Sequence, residues 1–464
     1  MAVQNEVDEC PEWSKQIILS PAARFLLSGC SRGVPKDVFP CWKIAFCGVY
    51  LQITFLDMGF FMPKGIIFLA DGMADLPLNE LGGKTPLEAV DTPAMDAIAA
   101  RGASGTFLTL PEGLPTSSDV ANMSVLGFYP EQNYPGRGPI EAVSQGIALE
   151  ADDIAWRCNL VTVSADGILL DYSAGHIDNA VSTRIMADLQ HEFGSGKVSF
   201  YPGVSYRNLL VLHGSEFSDK IDYFKPDSSQ GMHLDELKLV PRAGDAKAAH
   251  TVRFLEDLFA GTSEFLAAHP LNRGKAAPAS HIWPWSPGRK PSLQQFAERY
   301  SGRTGAVISA VDVIKGLAKC AGMDVIEVPG ATGFIDTNYA GKVEAALKAL
   351  KTHDFVYLHV EAIDECSHMG DLALKMQAIA DFDAKIVAPV MKALENEPVI
   401  FAVLPDHPVP IALRQHTTTP VPVAVCGPGI NPDGIRRFTE KDALEGSLGP
   451  MKGDQLMRMV MSLK

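Results

Sequence analysis

The chain is poor in cysteine, with eight in 464 residues and no pair at CxxC spacing. That excludes a disulfide scaffold and points to a reducing, cytoplasmic compartment. Basic side chains are also scarce: 40 against 55 acidic ones, a formal net charge of −15. Such a surface repels phosphate backbones, so no nucleic-acid partner is expected. A small anionic substrate stays compatible, because a local Arg/Lys cluster can hold one. No G-x-x-x-x-G-K-[ST] loop occurs, which removes a P-loop kinase but not a kinase with an unrelated nucleotide site. There is no internal repeat and no low-complexity tract. What is present is ordinary for a globular protein, 47% hydrophobic and 20% charged. A disordered chain, a collagen-like fibre and a coiled coil are thereby excluded. At one domain per ~150 residues, two or three domains are expected.

Residues 1–61 read differently from the rest. They hold Cys10, Cys30, Cys41 and Cys47 and show no clear helical or strand period. Ile44 to Phe61 is apolar and about as long as a membrane span. It carries Gln52 and Asp57, however, and runs straight into the next strand. No small-residue cleavage site marks a secretory signal. No membrane association is expected. The favoured reading takes Met62 as the start and 1–61 as an over-extended gene model; an anchor or a real extension are the alternatives.

From Met62 strands and helices alternate. Lys64–Ala70, Phe355–Val360, Val399–Leu404 and Val421–Cys426, the last of them a candidate final strand, are short apolar runs suited to strands covered on both faces. Thr92–Arg101 has a capping Thr and Pro at the first helical position. Helices are expected at Ser118–Leu126 and through Asp371–Leu394. This is the pattern of an α/β fold with a doubly wound, mostly parallel sheet. Tyr134 to Tyr300 is less regular, with strand-like runs Asn159–Val163 and Asn208–Leu212, a helix at Val252–His269 and a Trp/Pro/Gly-rich loop at His281–Pro291. It reads as a smaller α/β domain (134–300) inserted between 62–133 and 301–464.

Asp or His follows an apolar strand at several places, where open α/β sheets bind ligands. Asp71 follows Lys64–Ala70, though Asp before Gly also suits a turn. Asp364 and His368 stand at i, i+4 on one helical face, a workable ligand pair. Asp406 and His407 follow Val399–Leu404; adjacent side chains should diverge and could serve two metals. His416 lies in a loop, where a His is usually only polar surface. Together these mixed oxygen and imidazole ligands suit two divalent ions, Mn²⁺ first, with Zn²⁺ or Mg²⁺ as alternatives. Two ions about 3.5–4 Å apart can clamp a phosphoryl group. Thr116-Ser117-Ser118-Asp119 opens a helix, where a hydroxyl meets a favourable field for negative charge. An N-cap serine is the plain alternative.

FLADGMAD, LPTSSDVANMSVLGF, GRGPIEA, WRCNLVTV, DYSAGH, ISAVDVIKG, EAIDECSHMG, LPDHPVP and HTTTPVPVAVCGPG occur in that order between Met62 and Lys464. In these blocks the chain resembles the archaeal-type, cofactor-independent (2,3-bisphosphoglycerate-independent) phosphoglycerate mutases of the alkaline phosphatase superfamily. The resemblance implies an alkaline phosphatase-like fold and interconversion of 2- and 3-phosphoglycerate, a small phosphorylated acid, in glycolysis and gluconeogenesis. It implies Ser118 as the phosphorylated serine. It puts Asp71, Ser118, Asp406 and His407 on one metal and Asp364, His368 and His416 on the other. Substrate contacts would be Arg137, Arg157, His176, Arg207 and Lys315, with Asp153 and Arg289 as further candidates. No bisphosphoglycerate is needed. Arg forks and a Lys charge fit a substrate bearing phosphate and carboxylate.

The chain departs from the pattern in places. Ser117 stands where Gly is expected, Asn122 where many relatives have His, Phe128-Tyr129-Pro130 replaces a Tyr-Asp-Pro-like turn, and Thr417–Thr419 lacks an Asp. The same subgroup includes proteins assigned as homoserine kinases, using ATP, and that is the runner-up. A simple phosphatase or phosphodiesterase would suit the metal ligands but not a substrate-gripping insertion. A non-catalytic metal-binding protein would keep the whole set unused. Nothing in the sequence sets the oligomeric state.

Overall fold

A computed structural model of the chain describes residues 41–46, 49–54 and 62–463. Residues 1–62 form one unit and 63–464 another. In the first, Cys41–Phe46 and Val49–Thr54 pair as an antiparallel hairpin inside the stretch read as patternless. The over-extended-start reading of 1–61 falls mostly outside the described residues. Among the described residues no helix is long and apolar enough to cross a membrane.

The second unit is built on an eight-stranded sheet. Its order is Asp324–Val325 (β8), Gly305–Ile308 (β7), Phe355–Val360 (β9), Lys64–Ala70 (β1), Val399–Leu404 (β10), Val421–Cys426 (β11), Ala103–Phe107 (β2) and Gly449–Met451 (β12). The five strands from β8 to β10 run parallel. β11 pairs antiparallel with β10 and β2, and β12 pairs parallel with β2. Val421–Cys426 is therefore not the final strand; the short β12 follows it.

The apolar runs are buried on both faces, as a sheet sandwiched by helices requires. Alternation deals Ile66, Phe68, Val356, Leu358, Phe401 and Val403 to one core and Ile67, Leu69, Phe355, Tyr357, Ala402 and Leu404 to the other. Register aligns the ends of the three central strands: Ala70 lies opposite Val360, and Leu69 opposite Leu404. The residues just after these strands therefore emerge at one edge.

Helix α1 (Pro93–Arg101) starts after Thr92, but that side chain makes no cap bond. Asp383 supplies the cap from afar, accepting from the Met95 N–H at 2.7 Å and the Ala94 N–H at 3.2 Å. Asp383 begins a π-helical turn, Asp383–Val387, which interrupts the helix expected over 371–394 after Leu372–Phe382 (α8).

A second, antiparallel sheet has the order His281–Arg289 (β6), Ile154–Val163 (β3), Arg207–Leu212 (β5), Val198–Val204 (β4). The segment expected as a loop at 281–291 is thus largely strand. It tolerates Pro284 and Pro287 because β6 is an edge strand, and its register slips between Trp285 and Gly288. Asn179–Phe193 (α4) and Ala246–Ala268 (α5) cover the face bearing Ile154, Trp156, Cys158 and Leu160. Arg137–Ser144 (α3) packs on the other face, where alternation points Arg157 and Asn159. Phe296, on the short helix Phe296–Arg299 (α6), and Tyr300 just after it, near the end of the expected insertion, pack in the core of the large sheet.

Candidate active site

The aligned strand ends deliver a cluster of acids and imidazoles. Asp71, Asp406 and His407 place one ligand atom each within 4.8 Å of one another, and so do Asp364, His368 and His416. Asp406 and His407 do not diverge. The Asp406 carboxylate folds back to accept the His407 N–H at 2.9 Å and the Gly72 N–H at 3.2 Å, so His407 Nε2 lies 3.3 Å from Asp406 Oδ2 and 3.5 Å from Asp71 Oδ1. His416 is stacked on His407, ring centres 3.8 Å apart. A loop imidazole that looked like surface is thus part of the cluster.

Helix Ala362–Met369 (α7) sets Asp364 and His368 one turn apart. His368 Nδ1 donates to the Arg414 carbonyl at 2.9 Å. Its Nε2 then lies 3.0 Å from His416 Nε2 and 3.4 Å from Asp364 Oδ2. Two imidazole nitrogens and a carboxylate face one another, so either a hydrogen on one of the ring nitrogens or a metal ion lies among them. Arg414 holds a left-handed backbone at φ 55, and its carbonyl fixes the His368 ring.

Ser118 opens helix Ser118–Val125 (α2), and its Oγ is 3.2 Å from His407 Nε2. The N-cap position belongs to Ser117, whose side chain makes no cap bond and has no hydrogen-bond partner. Ser118 is half-buried and is not tied up as a cap.

Charge crowding is severe. Burial, then the charges of Asp406, Glu361 and Asp364, raises Asp71 well above the carboxylate range. Burial and Asp364 push Glu361 up to about 8, and burial takes Asp406 to about 7. Burial opposes ionisation of Asp364 too, but the His368 hydrogen bond and the His416 and His368 charges hold it below its usual range. His368 is pushed up to about 9, because Asp364 outweighs burial. Burial brings His416 down to about 4. Asp71 Oδ1, Asp364 Oδ1, His407 Nδ1 and His416 Nδ1 are buried without a hydrogen bond. Orphaned carboxylate oxygens in both triplets, beside imidazoles, fit a pair of divalent cations.

The predicted substrate contacts do not all come together. Arg137 Nε donates to Glu141 Oε1 at 2.8 Å, and Arg157 Nη1 pairs with the same oxygen. Arg157 is 5.0 Å above the Trp285 ring. Arg207 lies over Tyr206, which meets the His176 ring edge-on. The Arg137 charge acts on His416 and the Arg207 charge on Glu365, so this cationic group borders the acid–imidazole cluster. Asp153 and Arg289 are not brought there. Asp153 pairs with His213 at 2.8 Å, and Arg289 donates to the Asp152 and Phe217 carbonyls at 2.9 Å. They sit at the far end of the β3–β6 pair, Arg289 opposite Ile154 and Asp153 one residue before it, about 10–13 Å along the strand from Arg157 at ~3.3 Å per residue. Lys315 pairs with Glu327 at 3.0 Å.

A family model described as 2,3-bisphosphoglycerate-independent phosphoglycerate mutase matches residues 99–272. A Methanosarcina acetivorans protein of that name is 45% identical over 407 residues, 86% of this chain and 100% of that protein. The chain belongs to this phosphoglycerate mutase family. A Methanothermobacter thermautotrophicus member, named 2,3-bisphosphoglycerate-independent phosphoglycerate mutase 2, is 42% identical over 86% of this chain and 97% of its own length. Among solved structures, a Pyrococcus horikoshii protein superposes with a TM-score of 0.73 at 27% identity, covering 87% of this chain and 97% of that one. The cofactor-independent phosphoglycerate mutase of Thermoplasma acidophilum gives 0.59 at 28% identity, covering 87% and 100%.

Three residues of this family member were not singled out from sequence. Glu361 follows β9 as Asp71 follows β1, so register was a usable signal. His359 lies inside the apolar strand. Its Nε2 donates to Asp71 Oδ2 at 3.0 Å, which leaves Nδ1 of the neutral ring to accept from the Ser309 hydroxyl. Glu141 is the shared anion of two arginines, invisible before folding. Asn122, noted only as a departure, donates to Asp406 Oδ2 at 2.9 Å and the Ser118 carbonyl at 2.8 Å and accepts from Tyr357.

Proposed function

We propose that the chain interconverts 2-phosphoglycerate and 3-phosphoglycerate without bisphosphoglycerate, in glycolysis and gluconeogenesis, and that Ser118 carries the phosphoryl group between them. The observation behind this is Ser118 Oγ, half-buried and 3.2 Å from His407 Nε2 beside two acid–imidazole triplets, in a member of this family.

Asp71, Asp406 and His407, with Ser118, would hold one divalent cation, and Asp364, His368 and His416 the other. Mn²⁺ is our first choice, ahead of Mg²⁺ and Zn²⁺. When bound, the pair lowers the pKa of a neighbouring hydroxyl and neutralises phosphoryl charge. Ser118 Oγ forms a bond to phosphorus as the bond from phosphorus to the glycerate oxygen breaks. Arg137, Arg157, Arg207 and His176 then keep glycerate bound while it turns. The other glycerate hydroxyl takes the phosphoryl group, and Ser118 is released unchanged. Holding the acceptor in place makes the return step effectively unimolecular. Water must be kept from the phosphoserine, or the outcome is hydrolysis. We assign that task to the inserted residues 134–300 acting as a lid. Buried free thiols at Cys158, Cys366 and Cys426 suit a reducing cytoplasm.

No observation favours the homoserine kinase alternative. Supplying 3-phosphoglycerate, Mn²⁺ and enolase as reporter, with no bisphosphoglycerate, gives turnover; ATP with L-homoserine gives none. The reverse result would overturn the reading. Ser118→Ala abolishes turnover with an unchanged circular dichroism spectrum, whereas phosphate trapped on Ser117 would move the nucleophile.

A further inference from the structure

Lys375 has no exposed surface and sits on α8, directly after the helix that carries Asp364 and His368. Its ammonium has three protons and three acceptors: Asp75 Oδ2 at 2.7 Å, the Val409 carbonyl at 2.9 Å and the Ala74 carbonyl at 3.5 Å. Asp75 is in the loop that starts at Asp71, and Val409 in the loop that starts at Asp406. The Asp75 carboxylate also accepts the Ile411 N–H at 3.1 Å, and the Val409 N–H donates to the Ala74 carbonyl at 3.1 Å. Behind them the Asp75 N–H donates to Glu440, whose other oxygen accepts from Thr85 at 2.7 Å. One buried ammonium therefore joins the two loops that supply the Asp71, Asp406 and His407 triplet. A buried ion pair is seldom more stabilising than apolar residues of the same volume. Loop register is a better account of it than stability.

We infer that Lys375 is a positioning residue: it holds the Asp71 loop against the Asp406–His407 loop and so sets the affinity of that triplet for its cation. This rests on the two-cation reading above.

Lys375→Met alone strands a buried carboxylate and can block folding. Combining it with Asp75→Asn removes both charges, and an amide oxygen there still accepts the Ile411 N–H. Mn²⁺ is titrated into the metal-stripped full-length chain by electron paramagnetic resonance in two backgrounds. His416→Ala leaves the Asp71 triplet intact, and Asp406→Ala leaves the Asp364 triplet. The Lys375→Met/Asp75→Asn pair should weaken Mn²⁺ binding roughly tenfold to a hundredfold in the first background and leave the second within about twofold, the size expected for outer-sphere support of a ligand set. Equal loss in both backgrounds would mean a general structural role and overturn the inference, as would no loss in either. A wild-type chain that takes up no Mn²⁺ at all would sink the two-cation reading and this inference together. Two tight equivalents in wild type with an unaffected variant would sink the inference alone.

Discussion

Replacing Asn122 with leucine, which has nearly the same volume, isolates what its amide contributes. Asn122 and Tyr357 are both fully buried, and both amide donors and the amide oxygen of Asn122 are in use. The Ser118 carbonyl loses least, because it lies one turn back on the same helix. Asp406 Oδ2 loses a bond to a charged acceptor, worth about 1.5–3 kcal/mol. The Tyr357 hydroxyl is left dry and unpaired, at a cost of about 1–3 kcal/mol. Asn122→Leu should therefore destabilise the metal-free chain by roughly 3–5 kcal/mol in urea unfolding. Tyr357→Phe alone should cost about 1 kcal/mol, yet in the Asn122→Leu background it should recover about 1–2 kcal/mol by removing the stranded hydroxyl. Additivity of the two changes within about 0.5 kcal/mol would refute the bonding scheme. In the enolase-coupled assay Asn122→Leu should lower kcat about 10- to 100-fold, because Asp406 loses the partner that orients it.

Glu361 and Asp406 have folded pKa values of about 8 and about 7, above their unfolded ones, so their contribution to stability is present at acid pH and lost as pH rises through those values. Metal-free protein should thus be penalised at about pH 8, and the rise in Tm on adding Mn²⁺ should be larger there than at about pH 5.5; an equal rise at both would contradict the crowding described. Glu141→Gln leaves the buried Arg157 and the half-buried Arg137 short of their shared anion and should raise KM for 3-phosphoglycerate at least about tenfold, with a stability loss of roughly 3 kcal/mol; unchanged KM and urea midpoint would remove Glu141 from the site. Arg289→Gln should leave KM within about twofold, since its guanidinium is spent on main-chain carbonyls; a large KM effect would restore it as a substrate contact. EDTA treatment should abolish turnover and Mn²⁺ should restore it; activity that survives exhaustive chelation would exclude a metal-dependent reaction.

Local sequence was sufficient for the parts that depend on one segment. Phe355–Val360, Val399–Leu404 and Val421–Cys426 are strands with the expected bounds, because short, mainly apolar, β-branched-rich runs suit strands covered on both faces. The acids just past such runs were legible for the same reason. His281–Arg289 was not, since two prolines and a glycine look like a loop until an edge position leaves their missing donors unneeded.

Composition and motif order, then, determined the fold class, the family and the set of acids, imidazoles and hydroxyls available for chemistry. Tertiary structure decided which of them meet. Strand register brought the residues after β1, β9 and β10 to one edge and drew in Glu361 and His359. It also gave Asp153 to His213 and Arg289 to main-chain carbonyls, far from Arg157. A side chain's type is written locally, but its partner is set by packing between segments hundreds of residues apart, and only the folded chain brings those segments together.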